Sequence, residues 1–459
     1  MARGKKAAQG LTPEEKLSQA LVPVEEQPYQ IPENWCWVRW GCTGEFIAGG
    51  GFKNQYQGHT EFEIPFYKVG SLKYSDNAGY LYDNSNTVNE EMRKELKAPL
   101  IPTNSIIFAK IGEAIRLNRR SVNMIPCCID NNLMSFVPTV CKYRYVFYWS
   151  QGLDLYKYTN ATTVPAIRKS DLENISFPVA PLLEQQRIVD RIESIFAKLD
   201  EAKEKAQAVV DGFELRKSAI LHKAFTGELT AKWREEHGMT LDRWTKSTFS
   251  DVVDEFKYGL SEKSDYGYDG IPVFRIPNVT DNGLSFDDLK YLSHSQIDSS
   301  SLLRKDDVLI IRSNGSKELV GKSVLVPSLD KEYTYASFLI RARLNPKIVP
   351  AYFVYYINSS DARIQMFKKA KSSAGINNIN SKELGAINIL VCSVSEQSEI
   401  VRILDEFLDK ENAAKEAAES VLDQIDTMKK AVLARAFRGE LGTNDPVEES
   451  AVELLKSVL

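Results

Sequence analysis

The sequence has few of the residues from which metal sites and disulfide frameworks are built. Its 459 residues include six cysteines and four histidines. No two cysteines form a C-x-x-C pair, and no histidines stand at the spacing of metal ligands. In a chain of this size, scattered cysteines are typical of reduced thiols rather than of a disulfide framework or a zinc site. We therefore predict that this chain binds no metal.

Long apolar runs are also missing. The stretch MARGKKAAQGLTPEEK at the N-terminus has charge but no apolar core of signal-peptide length. No later stretch free of charge is long enough to span a membrane. The composition, 43% hydrophobic and 26% charged residues, is typical of a folded soluble protein. We expect a cytoplasmic protein with no membrane partner.

Signatures of catalysis are scarce as well. The chain has no Pro-Pro dipeptide, so it lacks the Asn/Asp-Pro-Pro-aromatic signature with which amino-methyltransferases hold a flipped base. The stretch GSKELVGKS (315–323) resembles a phosphate-binding loop, but it has one residue too many between Gly315 and Gly321. The residues after it, VLVPSL, favour a strand where that loop needs a helix N-terminus. We predict no catalytic residue and no cofactor in this chain, which favours a binding protein over an enzyme.

An internal duplication is the main feature of what the sequence does contain. HKAFTGEL (222–229) and ARAFRGEL (434–441) are nearly the same phrase, 212 positions apart. The same offset aligns EQQRIVDRIESIFAKLDEAKEKA, which begins at Glu184, with EQSEIVRILDEFLDKENAAKEAA, which begins at Glu396. Regions further upstream match at offsets of 207 and about 202. The chain therefore holds two copies of one unit, in which a block of variable length precedes a segment of constant length.

Both constant segments carry the heptad pattern of a helix that packs against another helix. The apolar positions recur mostly in steps of three and four, with Glu411 as a charged interruption in the second copy. Gly227 and Gly439 stand where left-handed C-caps would end the helices. Helices of about five heptads, on the order of 60 Å long, need a partner, and the obvious partner of each is the other. We assign these residues to the seam: Ile188, Ile192, Leu199, Phe213, Phe225, Ile400, Leu404, Ile425 and Phe437.

The changes of pattern divide the chain into six segments. They are a leader (1–29), a first strand-rich block (30–181), a first long helix (182–230), a second strand-rich block (231–393), a second long helix (394–442) and a tail (443–459). The blocks combine β-branched runs with Asn and Gly turns and a Tyr-rich helix. We predict an α+β fold in which the helices form an antiparallel coiled coil. The blocks then lie at opposite ends of a rod, about an approximate twofold axis, whereas parallel pairing would crowd them at one end.

Basic residues are concentrated in two stretches, although the net charge of −4 is poor for a protein that binds nucleic acid alone. AKIGEAIRLNRR (109–120) and RSNGSKELVGK (312–322) each follow an apolar strand, so they are candidates for equivalent loops. For any one of their residues, a solvated basic turn is the alternative to a contact. The candidate DNA contacts are Lys110, Arg116, Arg119, Arg120, Arg312, Asn314, Lys317 and Lys322.

The repeat resembles a known family. Two variable blocks, each closed by a P-L-x-E-Q-x-x-I-V helix that ends in AF-x-GEL, are similar to the specificity subunit of type I restriction-modification enzymes. The matching stretches are PLLEQQRIV (181–189), FTGEL (225–229), SEQSEIV (395–401) and FRGEL (437–441). The opening residues 11–41 also resemble a leader found in some members, and the similarity covers about 11–442. The entry of the second block, LDRWTKSTF, fits the family pattern only loosely, which blurs that boundary.

The resemblance implies a subunit without catalysis of its own. The blocks would be target-recognition domains, each reading one half of a split, asymmetric site in double-stranded DNA. The seam helices would act as a spacer and as the docking surface for two modification subunits, and restriction subunits would join that core. S-adenosylmethionine, ATP and Mg would be used by these partners. From the residues alone, a coiled-coil adaptor with two peptide-binding heads and a single-chain DNA methyltransferase or nuclease stay open as alternatives.

Overall fold

The structure, a computed structural model, consists of two compact units. It describes residues 12–160, 164–267, 269–281, 283–369, 371–373 and 376–458. Unit 1 is Met1–Lys205 with Val421–Leu459, and unit 2 is Ala206–Ser420. The division crosses both long helices, so each unit holds one strand-rich block and half of each helix. The predicted helical segments 182–230 and 394–442 are therefore shared between the units rather than separate from them.

The strand-rich block of unit 1 (30–181), called the first domain below, is built mainly from antiparallel sheets. The strands are β1 Cys36–Arg39, β2 Gly44–Ala48, β3 Ile64–Tyr67, β4 Thr87–Val88, β5 Ile106–Ala109, β6 Arg120–Val122, β7 Cys128–Ile129, β8 Leu133–Pro138 and β9 Ser176–Val179. The four-stranded sheet has the order β2-β8-β5-β6, and a three-stranded sheet has the order β4-β3-β7 with β3 and β7 parallel. The first and last strands, β1 and β9, pair with each other at the start of the long helix. The helices of unit 1 as far as the long helix are α1 Pro13–Ala20, α2 Glu90–Glu95, α3 Tyr143–Gln151, α4 Lys169–Glu173 and α5 Leu182–Thr226.

The block of unit 2 (231–393), the second domain, repeats this arrangement. Its strands are β10 Thr245–Thr248, β11 Val253–Tyr258, β12 Ile271–Phe274, β13 Val279–Thr280, β14 Gly283–Leu284, β15 Lys290–Leu292, β16 Val308–Ile311, β17 Ser313–Asn314, β18 Ser323–Leu325, β19 Thr334–Tyr335, β20 Leu339–Leu344, β21 Lys371–Ser373, β22 Ile376–Asn378 and β23 Asn388–Val391. The sheets that correspond to those of the first domain have the orders β11-β20-β16-β18 and β15-β12-β19, and β10 pairs with β23. The remaining helices are α6 Ala231–Glu236, α7 Phe249–Val252, α8 Pro350–Ile357, α9 Ser360–Lys369, α10 Ser381–Gly385, α11 Val394–Ala436 and, in unit 1, α12 Ala451–Lys456. The α+β prediction is confirmed.

Apolar runs explain the position of the central strands. In β5 and in β16 every residue is buried. When both faces of a strand are covered, its sequence is a continuous apolar run, whereas a strand with one face in solvent alternates between apolar and polar residues. Both strands accordingly lie inside their four-stranded sheets, with hydrogen-bonded neighbours on each side.

The two long helices agree with the predicted seam. α5 begins directly after Pro181 and α11 directly after Ser393. Gly227 has φ 83° and Gly439 has φ 77°, the left-handed conformation that glycine adopts at the end of a helix. Eight of the nine assigned seam residues are buried, with 0–6% of their surface exposed, and Leu199 is half-buried.

Contacts within each unit show that the helices run antiparallel. In unit 1 the Lys429 ammonium lies 2.6 Å from the Asp200 carboxylate. Nearer the start of α5, Ile188 belongs to the same core as Phe437. In unit 2 the Arg216 guanidinium lies 2.7 Å from the Glu411 carboxylate, which explains the charged interruption of the second heptad pattern.

A buried carboxylate at the start of each long helix binds a tryptophan of the adjoining domain. Glu184 Oε2 accepts from Trp35 Nε1 at 2.7 Å, and Glu396 Oε2 accepts from Trp244 Nε1 at 2.9 Å. Their exposed fractions are 0% for Glu184 and 2% for Glu396. The duplication therefore includes the junction between domain and helix.

The other donors to these carboxylates differ between the copies. Glu396 Oε1 accepts from Arg234 Nη1 at 2.6 Å, and this arginine is itself buried. Glu184 accepts from two neutral side chains of the tail, from Asn444 Nδ2 at 2.9 Å and from Thr443 Oγ1 at 3.3 Å. One junction is thus a buried ion pair, and the other is a charge held by neutral donors.

The phenylalanine of each AF-x-GEL motif packs on a tyrosine of the strand-rich domain in its own unit. The Phe225 ring centroid lies 5.3 Å from that of Tyr352, and the Phe437 centroid lies 5.1 Å from that of Tyr145, both in edge-to-face geometry. Each long helix therefore ends against the domain of the unit that contains its C-terminal half. This contact gives the repeated AF-x-GEL motif a structural function in both units.

Residues 12–29 of the leader and 443–458 of the tail are folded parts of unit 1. α1 contacts α12, in which Ala451 and Leu455 are fully buried. The backbone N–H of Ala451 donates to the carbonyl of Asn34 at 2.9 Å. No helix within the described residues is both long enough and apolar enough to cross a membrane.

Candidate nucleic-acid interface

The two basic stretches occupy equivalent positions in their domains. Ile167 N–H donates to the Lys110 carbonyl at 2.9 Å, and Ile379 N–H donates to the Arg312 carbonyl, also at 2.9 Å. Lys110 follows β5, and Arg312 follows β16. Each cation therefore stands at the end of the central strand, at the start of a turn that leaves the sheet. Both side chains are half-buried.

The turn of the first domain carries its exposed charges at the tip. Arg116 and Arg119 are exposed. The Arg116 guanidinium lies over the Tyr156 ring, 3.7 Å from the ring centroid, and its Nε lies 2.8 Å from Glu113 Oε2. Stacking on the ring holds the flat guanidinium in one orientation, while Glu113 offsets part of its charge.

Arg120 belongs to the interior, and this corrects its place among the candidate contacts. It is 5% exposed, and it donates to the carbonyls of Asn118 at 2.6 Å and of Leu153 at 2.8 Å. Burial lowers the pKa of its guanidinium to about 9. The residue before it, Arg119, is an exposed cation, and only the strand pairing of β6 shows that the Arg120 side chain points inward. It supports the turn from below and is left out of the interface.

Arg312 of the second domain has a comparable aromatic support. Its guanidinium lies 4.6 Å from the centroid of the Tyr258 ring, and its Nη2 donates to Asn378 Oδ1 at 3.3 Å. Its Nε is buried and has no hydrogen-bond partner within the described part of the chain. A buried donor without a partner costs free energy, so the hydrogen-bonding capacity of this guanidinium is not fully used within the described residues.

The other candidates of the second domain have mixed surroundings. Asn314 Oδ1 accepts from the Ser316 N–H at 2.8 Å, so this side chain shapes its own turn. Lys317 is exposed, with its ammonium 5.3 Å from the centroid of the Phe367 ring. Lys322 lies 2.8 Å from Asp281, and the hydrogen bond from Lys322 holds the pKa of that carboxyl below its ordinary value. Lys322 is therefore partly neutralised within its own unit.

Three supporting residues were missed at the level of sequence. Tyr156 and Tyr258 lie beneath the arginines, 40 and 54 positions away from them along the chain. Arg363 donates to the carbonyls of Val320, at 2.7 Å, and of Glu318, and it supports the second turn as Arg120 supports the first. Burial lowers the pKa of Arg363 as well. The Tyr-rich stretch 143–158 was a usable signal for the Tyr156 ring, but not for its partner, and Tyr258 lies outside any such stretch.

The described residues contain no group of three or more His, Cys, Asp or Glu side chains that could hold a metal ion. The chemistry that the turns offer is that of cations and hydrogen-bond donors, presented at the ends of two rigid strands. Such groups suit an anionic ligand with acceptors along its length.

Residues 42–210 and 242–422 match the model of the type I restriction modification DNA specificity domain. The chain belongs to this family. Both copies of the duplication are thus DNA specificity domains, and each match includes the basic turn of its domain. The coiled-coil adaptor and the single-chain methyltransferase are not favoured by this membership.

Curated relatives carry the same family name. The chain is 29% identical over 280 residues to the type I restriction enzyme EcoKI specificity subunit of Escherichia coli K12, with 60% of each chain covered. It is 25% identical over 277 residues to the StySPI specificity subunit of Salmonella potsdam, which covers 60% of this chain and 59% of the relative. The chain therefore spans about 60% of the length of the curated relatives it matches.

Solved structures show the same fold over most of the chain. The crystal structure of the HsdS subunit from Thermoanaerobacter tengcongensis matches with a TM-score of 0.63 at 18% identity, covering 91% of this chain and 100% of that one. A chain from a study of complex assembly and conformational transition of the type I R-M system matches with a TM-score of 0.64 at 18% identity, covering 90% and 100%. At this identity the likeness shows the fold of the specificity subunit.

Proposed function

We propose that this chain is the DNA-specificity subunit of a type I restriction-modification system and that each domain reads one half of a bipartite, asymmetric site in double-stranded DNA. The observation that carries the proposal is the pair of equivalent cationic turns after β5 and β16, in a chain whose halves both match a DNA specificity domain. Arginine and lysine at these turns supply phosphate contacts and readout of guanine edges in the groove. The reader itself is not an enzyme.

The partners follow from the charge of the chain and from the names of its relatives. With a net charge of −4, the chain releases few counterions from DNA by itself, so tight binding needs more cationic surface than it provides. Two modification subunits docked on the long helices supply that surface, and restriction subunits complete the assembly. The partners use S-adenosylmethionine, ATP and Mg²⁺. The complex acts in the cytoplasm.

A domain exchange tests the assignment of one reader to each half-site. Residues 231–393 are replaced by the second domain of another family member, and the full chain is expressed with its modification subunit. Methylated sites are then mapped across the genome. We expect one half of the methylated sequence to change and the other half to stay the same. A new sequence in both halves would contradict separate readers, and the reciprocal exchange of residues 30–181 is the matched control.

An insertion in the paired helices tests their role as a spacer. One heptad is added to α5 after Lys205 and one to α11 after Ser420, so that both helices of the antiparallel pair gain the same length. Seven helical residues add about 10 Å, which corresponds to roughly three base pairs at about 3.4 Å each. Methylation mapping should show a longer gap between unchanged half-sites. A complex that remains active with an unchanged gap would exclude the spacer role.

A further inference from the structure

The tip of the first domain's turn presents an apolar side chain between two cations. Leu117 is 60% exposed, and it stands one residue after Arg116 and two residues before Arg119, both exposed. An isolated exposed leucine is common on protein surfaces. A leucine at the tip of a basic turn is less easily explained. The cations attract a polar or anionic partner, and contact with such a partner does not stabilise an apolar side chain.

The tip is also held rigidly. Asn118 adopts the left-handed conformation, with φ 52°. Its amide Nδ2 donates to the Leu153 carbonyl at 2.8 Å, and its Oδ1 accepts from the Leu155 N–H at 3.1 Å. Beneath it, the buried Arg120 binds the Asn118 carbonyl. A side chain fixed in this way loses little conformational entropy when it binds, so the turn is preorganised for contact.

The charge balance of the tip favours a polyanion. Arg116 and Arg119 face solvent with Glu113, which pairs with Arg116 and offsets one of the two charges. Proteins that bind the minor groove combine arginine and lysine contacts with apolar side chains inserted between base steps, and arginine also contacts phosphates. Apolar wedges of this kind include leucine, and they partly unstack the step that they enter.

We propose that Leu117 is a wedge that enters a groove of the first half-site and partly unstacks one base step, with Arg116 and Arg119 on the flanking phosphates. This inference rests on the proposed function, because it takes duplex DNA as the partner of the first domain. It adds a contact that reads the deformability of a step rather than its hydrogen-bonding edge.

The second domain has no counterpart of this tip within its described residues. In its turn the exposed residues are Gly315, Lys317 and Glu318, and the leucine of that turn, Leu319, is half-buried. The wedge is therefore specific to the first half-site, and the two readers differ in how they distort DNA. This asymmetry provides an internal control within one complex.

The test uses the full chain with its modification subunit and a duplex that carries the mapped site. 2-Aminopurine replaces each adenine of the first half-site in turn, and its fluorescence reports unstacking. Leu117→Ala should abolish the rise at one step and weaken binding about tenfold, which is about 1.4 kcal/mol. Leu117→Met, which keeps an apolar side chain, should preserve both. Leu100→Ala, a change at another exposed leucine of unit 1, is the matched control and should have no effect.

Several outcomes overturn the wedge, and they differ from failure of the proposed function. If Leu117→Ala leaves every fluorescence signal and the affinity unchanged while the site is still methylated, the wedge is excluded and the specificity function stands. If the fluorescence rise persists in Leu117→Ala, the unstacked base is moved by the modification subunit and not by Leu117, which also excludes the wedge. If the variant instead loses its modification subunit, the turn docks protein and not DNA. If no duplex sequence is preferred at all, the proposed function itself fails.

Discussion

The two junction carboxylates predict different costs for removing one donor. In unit 2, Arg234→Met leaves Glu396 as a charge that is 2% exposed, with Trp244 and Thr230 as its remaining donors. Breaking a buried ion pair by removing one partner costs about 3–5 kcal/mol, since the other charge stays buried. In unit 1, Asn444→Ala removes a neutral donor from Glu184, for which about 1–3 kcal/mol is expected.

Scanning calorimetry of the full chain measures this difference. For a unit of roughly 200 residues, 1 kcal/mol shifts Tm by about 2–4 °C, so Arg234→Met should lower the transition of unit 2 by about 6–20 °C. Hydrogen exchange should show faster opening at the start of α11, with unit 1 unchanged. Asn444→Ala should show the smaller shift, with faster exchange in the tail.

The double variant separates charge from packing. If Arg234→Met lowers the stability of unit 2 because it leaves an unpaired charge, then adding Glu396→Gln should restore a substantial part of that stability, because the carboxylate becomes a neutral amide. Equal costs for Arg234→Met and Asn444→Ala, or a double variant less stable than Arg234→Met alone, would refute the reasoning. In that case the shape of the arginine, and not its charge, holds the junction.

Three further results are expected. Arg119→Ala should weaken binding to the first half-site, and Lys317→Ala should weaken binding to the second. Each change should also reduce the slope of log affinity against log salt concentration by about one, as expected for the loss of one phosphate contact, and titration over a range of salt concentrations measures this slope. Gly49→Ala should destabilise unit 1 by about 2 kcal/mol or more, because its Cβ would lie 1.9 Å from the Asp130 carbonyl oxygen, whereas Gly51→Ala, with nothing within 4 Å, should leave Tm nearly unchanged. Cys42, the one half-buried thiol among six, should be the first to react with a disulfide reagent, and its rate should rise with pH because burial raises the pKa of its thiol.

Local patterns determined the long helices and the central strands. Helix periodicity, the C-terminal glycines and the residues that precede each helix act within a few turns. α5 and α11 therefore begin at the predicted residues, 182 and 394, and they end at Thr226 and Ala436, a few residues before the predicted bounds of 230 and 442. The fully apolar runs of β5 and β16 likewise predict strands inside a sheet. The repeat offset also predicted the equivalence of the two basic turns, because a duplicated segment folds in the same way twice.

Tertiary structure decided which of these residues face solvent and which partners they find. Arg120 and Arg119 are adjacent cations, yet one is buried and the other exposed, since the pairing of β6 with β5 turns one of them inward. Tyr156 lies under Arg116 because the chain returns 40 residues later. The sequence indicated the pairing of the helices, but not that each would be divided between two units.

The junctions show the same limit over the longest distances. Glu184 and Glu396 are the same residue in the two copies, and their sequence surroundings predict the same environment. One is bound by Arg234, and the other by Asn444 from the opposite end of the chain. A heptad seam depends on contacts that recur every few residues, so the sequence determines it. The donors to a buried carboxylate are chosen by packing between segments far apart in sequence, and this only the folded chain decides.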